Sequence, residues 1–240
     1  MAAHHVETVI TTDDGRFPAY LAIPQAGHGP GVLVVDEDLR VDDHVHDVCD
    51  RLATNGYVAL APDLWWRIEP DAELDAAGRV ELTPAEITDR FDPEAGLSDL
   101  AASLSHLRSL DEMQGAVATI GFGVGGTQAF RAAAHLDPAC VVSYYGSGTA
   151  DLLGDLDKVT CPVVFHFGDD DPYLPMDEVD RIRKATADRN DITVHVHEGG
   201  GHAFDNHFAP HFSQPEIAAT AWTETLAFLY MHIGGPGRGA

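Results

Sequence analysis

From Gly31 onward, short runs of apolar residues alternate with stretches of helical periodicity, and few architectures accommodate that order. Gly31–Val35, Val58–Ala61, Ala116–Ile120, Val141–Tyr145, Val163–Phe167 and Thr193–Val196 read as core strands, too apolar on both sides to face water. Helical patterns fall between or after them, near Val45–Asn55, Glu94–Leu110, Gly125–His135, Met176–Asp188 and Pro215–His232. Val6–Thr11 and Ala19–Ile23, joined across Asp13-Asp14-Gly15, read as an opening antiparallel pair. Strand–helix alternation predicts a mainly parallel central sheet with helices on both faces. No repeat or composition break divides residues 1–240, so one domain is expected. The polar stretch Trp65–Arg90, with Pro70 and Pro84, is long for a connection and is expected to cap or line a site.

Charge narrows the partners. The chain has 39 acidic against 14 basic residues, with a net charge of −25. Such a field repels nucleic acid and anionic membranes, so neither is expected as a partner. The N-terminus lacks the basic start and apolar core of a signal peptide, which predicts a cytoplasmic protein. Three cysteines, Cys49, Cys140 and Cys161, make a poor disulfide framework and are expected to be packed thiols.

In open parallel sheets, ligands bind beyond the carboxyl ends of the strands. Those ends here carry Asp36-Glu37-Asp38, Asp63, Gly121 to Gly126, Asp169-Asp170-Asp171 and Gly199-Gly200-Gly201-His202. A strand, a Gly-x-nucleophile-x-Gly turn and then a helix is the nucleophile elbow of α/β hydrolases, followed in chain order by an acid and a histidine. Asp171 and His202 supply that order. The middle position of the turn is Gly123, which has no side chain.

The chain resembles the dienelactone hydrolases (carboxymethylenebutenolidase-like proteins). The resemblance rests on Val34-Val35-Asp36-Glu37, Ala61-Pro62-Asp63-Leu64, Phe91 to Gly96, Gly121 to Gly126, Tyr144-Tyr145-Gly146, His166 to Asp171 and Gly201 to Phe204. It implies an α/β-hydrolase fold, a small-molecule substrate, no cofactor and no metal. It also implies a cysteine nucleophile working with an aspartate and a histidine, and a glutamate that sets the protonation of the thiol. Asp171, His202 and Glu37 match those positions, and Gly123 does not. The oxyanion donors are expected to be the backbone N–H groups of Val124 and Asp38. In this family an arginine often stands four residues after the histidine to hold a carboxylate. Asn206 occupies that place, which argues against a carboxylated lactone.

Covalent acyl transfer needs an oxygen or sulfur nucleophile, so Gly123 leaves three readings open. One is an enzyme in which His202, oriented by Asp171, works on a small carbonyl, ester or lactone compound by non-covalent acid–base chemistry: lyase, isomerase, cyclase or water-mediated hydrolysis. Another is a variant of a covalent cysteine hydrolase with its nucleophile removed. The third is a binding protein that kept the pocket. Arg67 and Arg40 are candidate anion contacts. Trp65, Trp66, Tyr145 and Phe204 are candidates to wall the pocket, and Asn206 to meet the substrate. Gly121, Gly123 and Gly126 also spell a dinucleotide fingerprint, but the next strand ends without the acid that grips a ribose. His44 with His46, and His195 with His197, match no metal motif and are expected to be strand or surface histidines.

Overall fold

The computed structural model describes residues 4–36, 41–68 and 90–235, with Trp65 described through its backbone alone. Among these residues, eight strands form one sheet: β1 (His4–Thr11), β2 (Arg16–Ile23), β3 (Gly29–Val35), β4 (Val58–Pro62), β5 (Met113–Phe122), β6 (Val141–Tyr144), β7 (Val163–Gly168) and β8 (Ile192–His197). Their spatial order is β1-β2-β4-β3-β5-β6-β7-β8. β1 pairs antiparallel with β2, and β2 antiparallel with β4. All other neighbours run parallel. Every expected strand is present. β5 begins three residues earlier than its apolar run, because Met113 pairs with Gly29.

Among the described residues, five α-helices connect and cover the sheet: α1 (Asp43–Thr54), α2 (Pro93–Ser109), α3 (Val124–His135), α4 (Met176–Ala185) and α5 (Pro215–Ile233). Strand side chains alternate between the faces, and the helices divide accordingly. Val32 and Val34 of β3 join Val45, Val48 and Leu52 of α1 and Ala221 and Leu229 of α5 in one core. Leu33 and Val35 point the other way, onto Leu100, Leu104 and Leu107 of α2. Phe165 and Phe167 of β7 meet Phe130 of α3 and Val179 and Ile182 of α4 on that second face. The three cysteines are free and buried.

Local chemistry explains where helices start. Asp92 caps α2 by accepting from the N–H groups of Glu94 and Ala95, with Pro93 opening the helix. A Cβ on Gly96 would lie 2.1 Å from Phe91 Cζ, so Gly96 lets the Phe91 ring lie against the helix. The Phe91 to Gly96 motif thus serves packing and capping. Of the polar stretch Trp65–Arg90, the first residues belong to a 3-10 turn (Leu64–Arg67), and its expected capping role falls on 69–89, outside the described residues. Among the described residues no helix is long and apolar enough to cross a membrane.

The strand order reverses between β3 and β5. β3 leads through α1 to β4 on one side, and β5 leads through α3 to β6 on the other. That crevice is where doubly wound sheets bind ligands.

Candidate active site

The crevice is closed by the turn between β5 and α3. Gly123, at its tip, has φ +50° and ψ −121°, a region where a residue with a side chain stores about 1–2 kcal/mol of strain. Its neighbours leave no room for side chains. A Cβ on Gly121 would lie 2.0 Å from the Gly125 carbonyl oxygen, one on Gly125 2.2 Å from that of Val35, and one on Gly126 2.8 Å from that of Tyr144. Three glycines therefore seat the turn directly on the backbones of β3 and β6. This is the form of a nucleophile elbow, and Val124 opens the helix behind it. The first N–H groups of a helix have no acceptor within the helix, so they suit a developing oxyanion.

On the same edge, His202 Nδ1 lies 2.7 Å from Asp171 Oδ2. Asp171 is itself fixed, its Oδ1 accepting from the N–H groups of Tyr173 at 2.8 Å and Leu174 at 3.1 Å. With Nδ1 donating to the carboxylate, the neutral imidazole carries its lone pair on Nε2, the form a general base needs. The His202 ring is flanked by Tyr145 and Tyr173, with centroids 5.1 Å away in each case, and by Phe212 at 6.3 Å. The end of β6 links the two halves of the site. Tyr144 accepts from the Gly123 N–H at 3.0 Å, and Tyr145 is the ring beside His202.

The three consecutive acids after β7 have separate roles. Asp169 accepts from the Gly199 N–H at 2.6 Å, and the Asp170 N–H donates to Gly200 at 2.9 Å. Gln214 joins in, accepting from Gly201 and donating to Gly199. A Cβ on Gly168 would lie 2.0 Å from the Gly200 carbonyl oxygen. The loops after β7 and β8 are thus stitched together, which sets the distance between Asp171 and His202. Ala203, directly after His202, has φ +50°, and Tyr145 has φ +36°. Strained backbone of this kind clusters at functional sites.

Beneath the site runs a buried polar chain that the sequence does not announce. His44 Nδ1 lies 3.3 Å from Asp36 Oδ1, and its Nε2 lies 3.2 Å from Asp205 Oδ2. The Tyr145 hydroxyl donates to the other oxygen of Asp205. Burial disfavours a charged imidazole, but Asp205 and Asp36, one on each ring nitrogen, outweigh it and push the His44 pKa up to about 11. Burial also opposes ionisation of Asp205, and His44 holds its carboxyl below the ordinary value. The chain ties β3, α1, β6 and the loop of His202 into one unit.

A pH dependence follows. His44 binds its proton more tightly folded than unfolded, so its contribution to stability is complete below the ordinary histidine value of 6.5 and is lost as pH rises toward 11. Between pH 7 and 8.5 the unfolding free energy is expected to fall by about 2 kcal/mol, near the one-proton slope of about 1.4 kcal/mol per pH unit. Denaturant titrations across that range test this, and His44→Gln should flatten the slope. An unchanged slope in the variant would mean that His44 is not the titrating group.

The expected site residues divide into three groups. Gly123, Val124, Asp171, His202 and Tyr145 come together at the strand ends. Glu37, Asp38 and Arg40 lie outside the described residues, as does the side chain of Trp65. The remainder, Arg67, Trp66, Phe204 and Asn206, each have a partner within the fold. Arg67 is held by Asp99 at 2.5 and 2.7 Å and by Asp14 at 2.9 Å. Trp66 donates to the same Asp99 at 2.9 Å and stacks on Phe17. Asp99 is wholly buried, so this cation neutralises an internal carboxylate. Phe204 is also wholly buried, against the Tyr144, Tyr145 and His197 rings. Asn206 closes a turn by accepting from the Phe208 N–H. The Tyr145 ring too is buried, so it supports His202 from beneath. Sequence reasoning missed Tyr173, Phe212 and Asp205, and it read His44 as a strand or surface histidine, whereas His44 is buried in α1. The nearest signal was the position of Asp205, three residues after His202.

The Dienelactone hydrolase family pattern matches residues 17–233. The chain is 35% identical to a carboxymethylenebutenolidase of a Pseudomonas species over 216 residues, covering 90% of each chain. It is 30% identical to carboxymethylenebutenolidase 1 of Cupriavidus pinatubonensis, covering 92% of this chain and 95% of that one. A dienelactone hydrolase structure from Anabaena variabilis superposes with a TM-score of 0.71 at 17% identity, covering 97% of this chain and all of that one. At that identity the likeness is one of fold.

Proposed function

The chain belongs to the dienelactone hydrolase family, and on that premise we propose that it acts on a small carbonyl, ester or lactone compound by non-covalent acid–base catalysis at His202. The observation that carries this reading is the His202–Asp171 pair, 2.7 Å apart, on the same sheet edge as an elbow whose tip is glycine. The carboxymethylenebutenolidase names of the relatives support the substrate class.

In this reading Gly123 stands at the nucleophile position, and no acyl-enzyme forms. The substrate carbonyl oxygen takes a hydrogen bond from the N–H of Val124 at the crevice, the second donor being the one that the family resemblance assigns to Asp38. His202 Nε2 removes a proton from a water as its oxygen adds to the carbonyl carbon. The tetrahedral oxyanion then collapses, the carbon–oxygen bond to the leaving group breaks, and the imidazolium returns its proton to that oxygen. Asp171 keeps the ring oriented and balances its charge while it is protonated. The same equipment suits removal of a proton next to the carbonyl, with the enolate held by the same donors. Glu37 matches the family's glutamate in sequence alone.

The test is a survey of small lactones, aryl esters and enolisable carbonyl compounds with the purified chain, product formation being followed directly. At least one class should turn over above the buffer rate without a burst of product. No turnover of any class, with ligands still bound, would replace catalysis by binding.

A further inference from the structure

A second cluster of chemistry-bearing side chains lies on the sheet face covered by α5. His166 of β7 and His195 and His197 of β8 project from neighbouring strands, and Glu224 of α5 reaches down to them. His166 Nδ1 lies 3.1 Å from His197 Nε2 and 3.6 Å from Glu224 Oε2, and His197 Nε2 lies 4.0 Å from that oxygen. Glu224 Oε2 is buried and has no hydrogen-bond partner. An orphaned buried carboxylate oxygen is costly, and this one faces two imidazole nitrogens. We propose that His166 Nδ1, His197 Nε2 and Glu224 Oε2 form a binding site for a divalent transition-metal ion of the zinc class.

The spacing fits the ion. A triangle with sides of 3.1, 3.6 and 4.0 Å has its equidistant point about 2.1 Å from each corner, the length of a zinc–nitrogen or zinc–oxygen bond. Two imidazoles and a carboxylate are an ordinary ligand set for zinc and cobalt and a poor one for calcium or magnesium. A water completes four-coordination.

The surroundings orient the ligands. His166 Nε2 lies 3.1 Å from Thr225 Oγ1, which is bonded in turn to the Tyr144 hydroxyl at 2.7 Å. A proton on Nε2, donated to Thr225, leaves the Nδ1 lone pair facing the site, as outer partners of metal-binding histidines do. Glu224 Oε1 sits 3.3 Å from His195 Nδ1, which holds the carboxylate so that its other oxygen points inward. The ion clamps the C-terminal helix α5 to the edge of the sheet, apart from the His202–Asp171 pair. The sequence shows only His195 and His197, two apart. The fold adds His166 and Glu224 from 31 residues before His197 and from the last helix.

The full chain, stripped with chelator, is titrated with Zn²⁺ by calorimetry and with Co²⁺ by visible absorption. The expected result is one tight equivalent, an intense four-coordinate cobalt band and a raised melting midpoint. Glu224→Gln and His197→Gln should each weaken binding by at least about 100-fold, while the exposed-residue control His211→Ala leaves it unchanged. The native chain's cobalt spectrum decides the matter should either variant fold poorly. No binding of either metal, a weak six-coordinate cobalt spectrum, or equal affinity in both folded variants would overturn the proposal.

Discussion

Gly123→Cys is expected to gain hydrolysis of activated esters, with kcat/KM rising on the order of 10³-fold over the native chain. The thiol would project from the tip of the elbow at the N-terminus of α3, where the helix end lowers a cysteine pKa and favours the thiolate. His202, on the neighbouring loop, would supply the base. The same change should cost about 1–2 kcal/mol of stability, because the backbone there has φ +50°. Gly123→Ala isolates that cost, with the same loss of stability and no gain in rate. Ester assays and urea denaturation on the three proteins separate the two effects. A cysteine variant that folds yet stays at the native rate would mean that substrate carbonyls do not reach this turn.

His202→Asn carries the second large effect. Loss of the general base should lower turnover of the native substrate by about 10²- to 10⁴-fold. Asparagine can still donate to Asp171, so the loops after β7 and β8 should stay closed and stability should change little. The fall should appear in kcat, with KM nearly unchanged, because the imidazole acts on the moving proton. A kcat within a few-fold of the native value would remove His202 from the chemistry.

Much of this arrangement is legible in the chain, for identifiable reasons. β3, β4, β6, β7 and the second half of β5 are buried on both sides, so each reads as a short apolar run. The carboxyl ends of those strands must then share one edge, and Asp171, His202 and the glycine turn fall on it. The local chemistry of capping was equally visible, as Asp92 and Pro93 opening α2 illustrate.

What stayed hidden depends on partners far apart in sequence. Arg67 looked available to a substrate because nothing nearby in the chain pairs with it, yet Asp99 lies 32 residues away and holds it. His44 and Asp205 are separated by 161 residues, and no periodicity links them. Of three adjacent acids, sequence order favoured Asp171, and only the folded loops show why Asp169 belongs to Gly199 instead. Phe204 and Tyr145 sit next to functional positions, and that proximity suggested substrate contact. The packing places both below the surface, Tyr145 against His202 and Phe204 against Tyr145.

The central claim, chemistry at His202 without a covalent intermediate, is tested most directly by quenching the native chain during turnover of a lactone or aryl ester and recording its intact mass. Product should accumulate while the protein mass stays that of the unmodified chain. An acyl adduct on the protein, or the absence of turnover, would contradict the account.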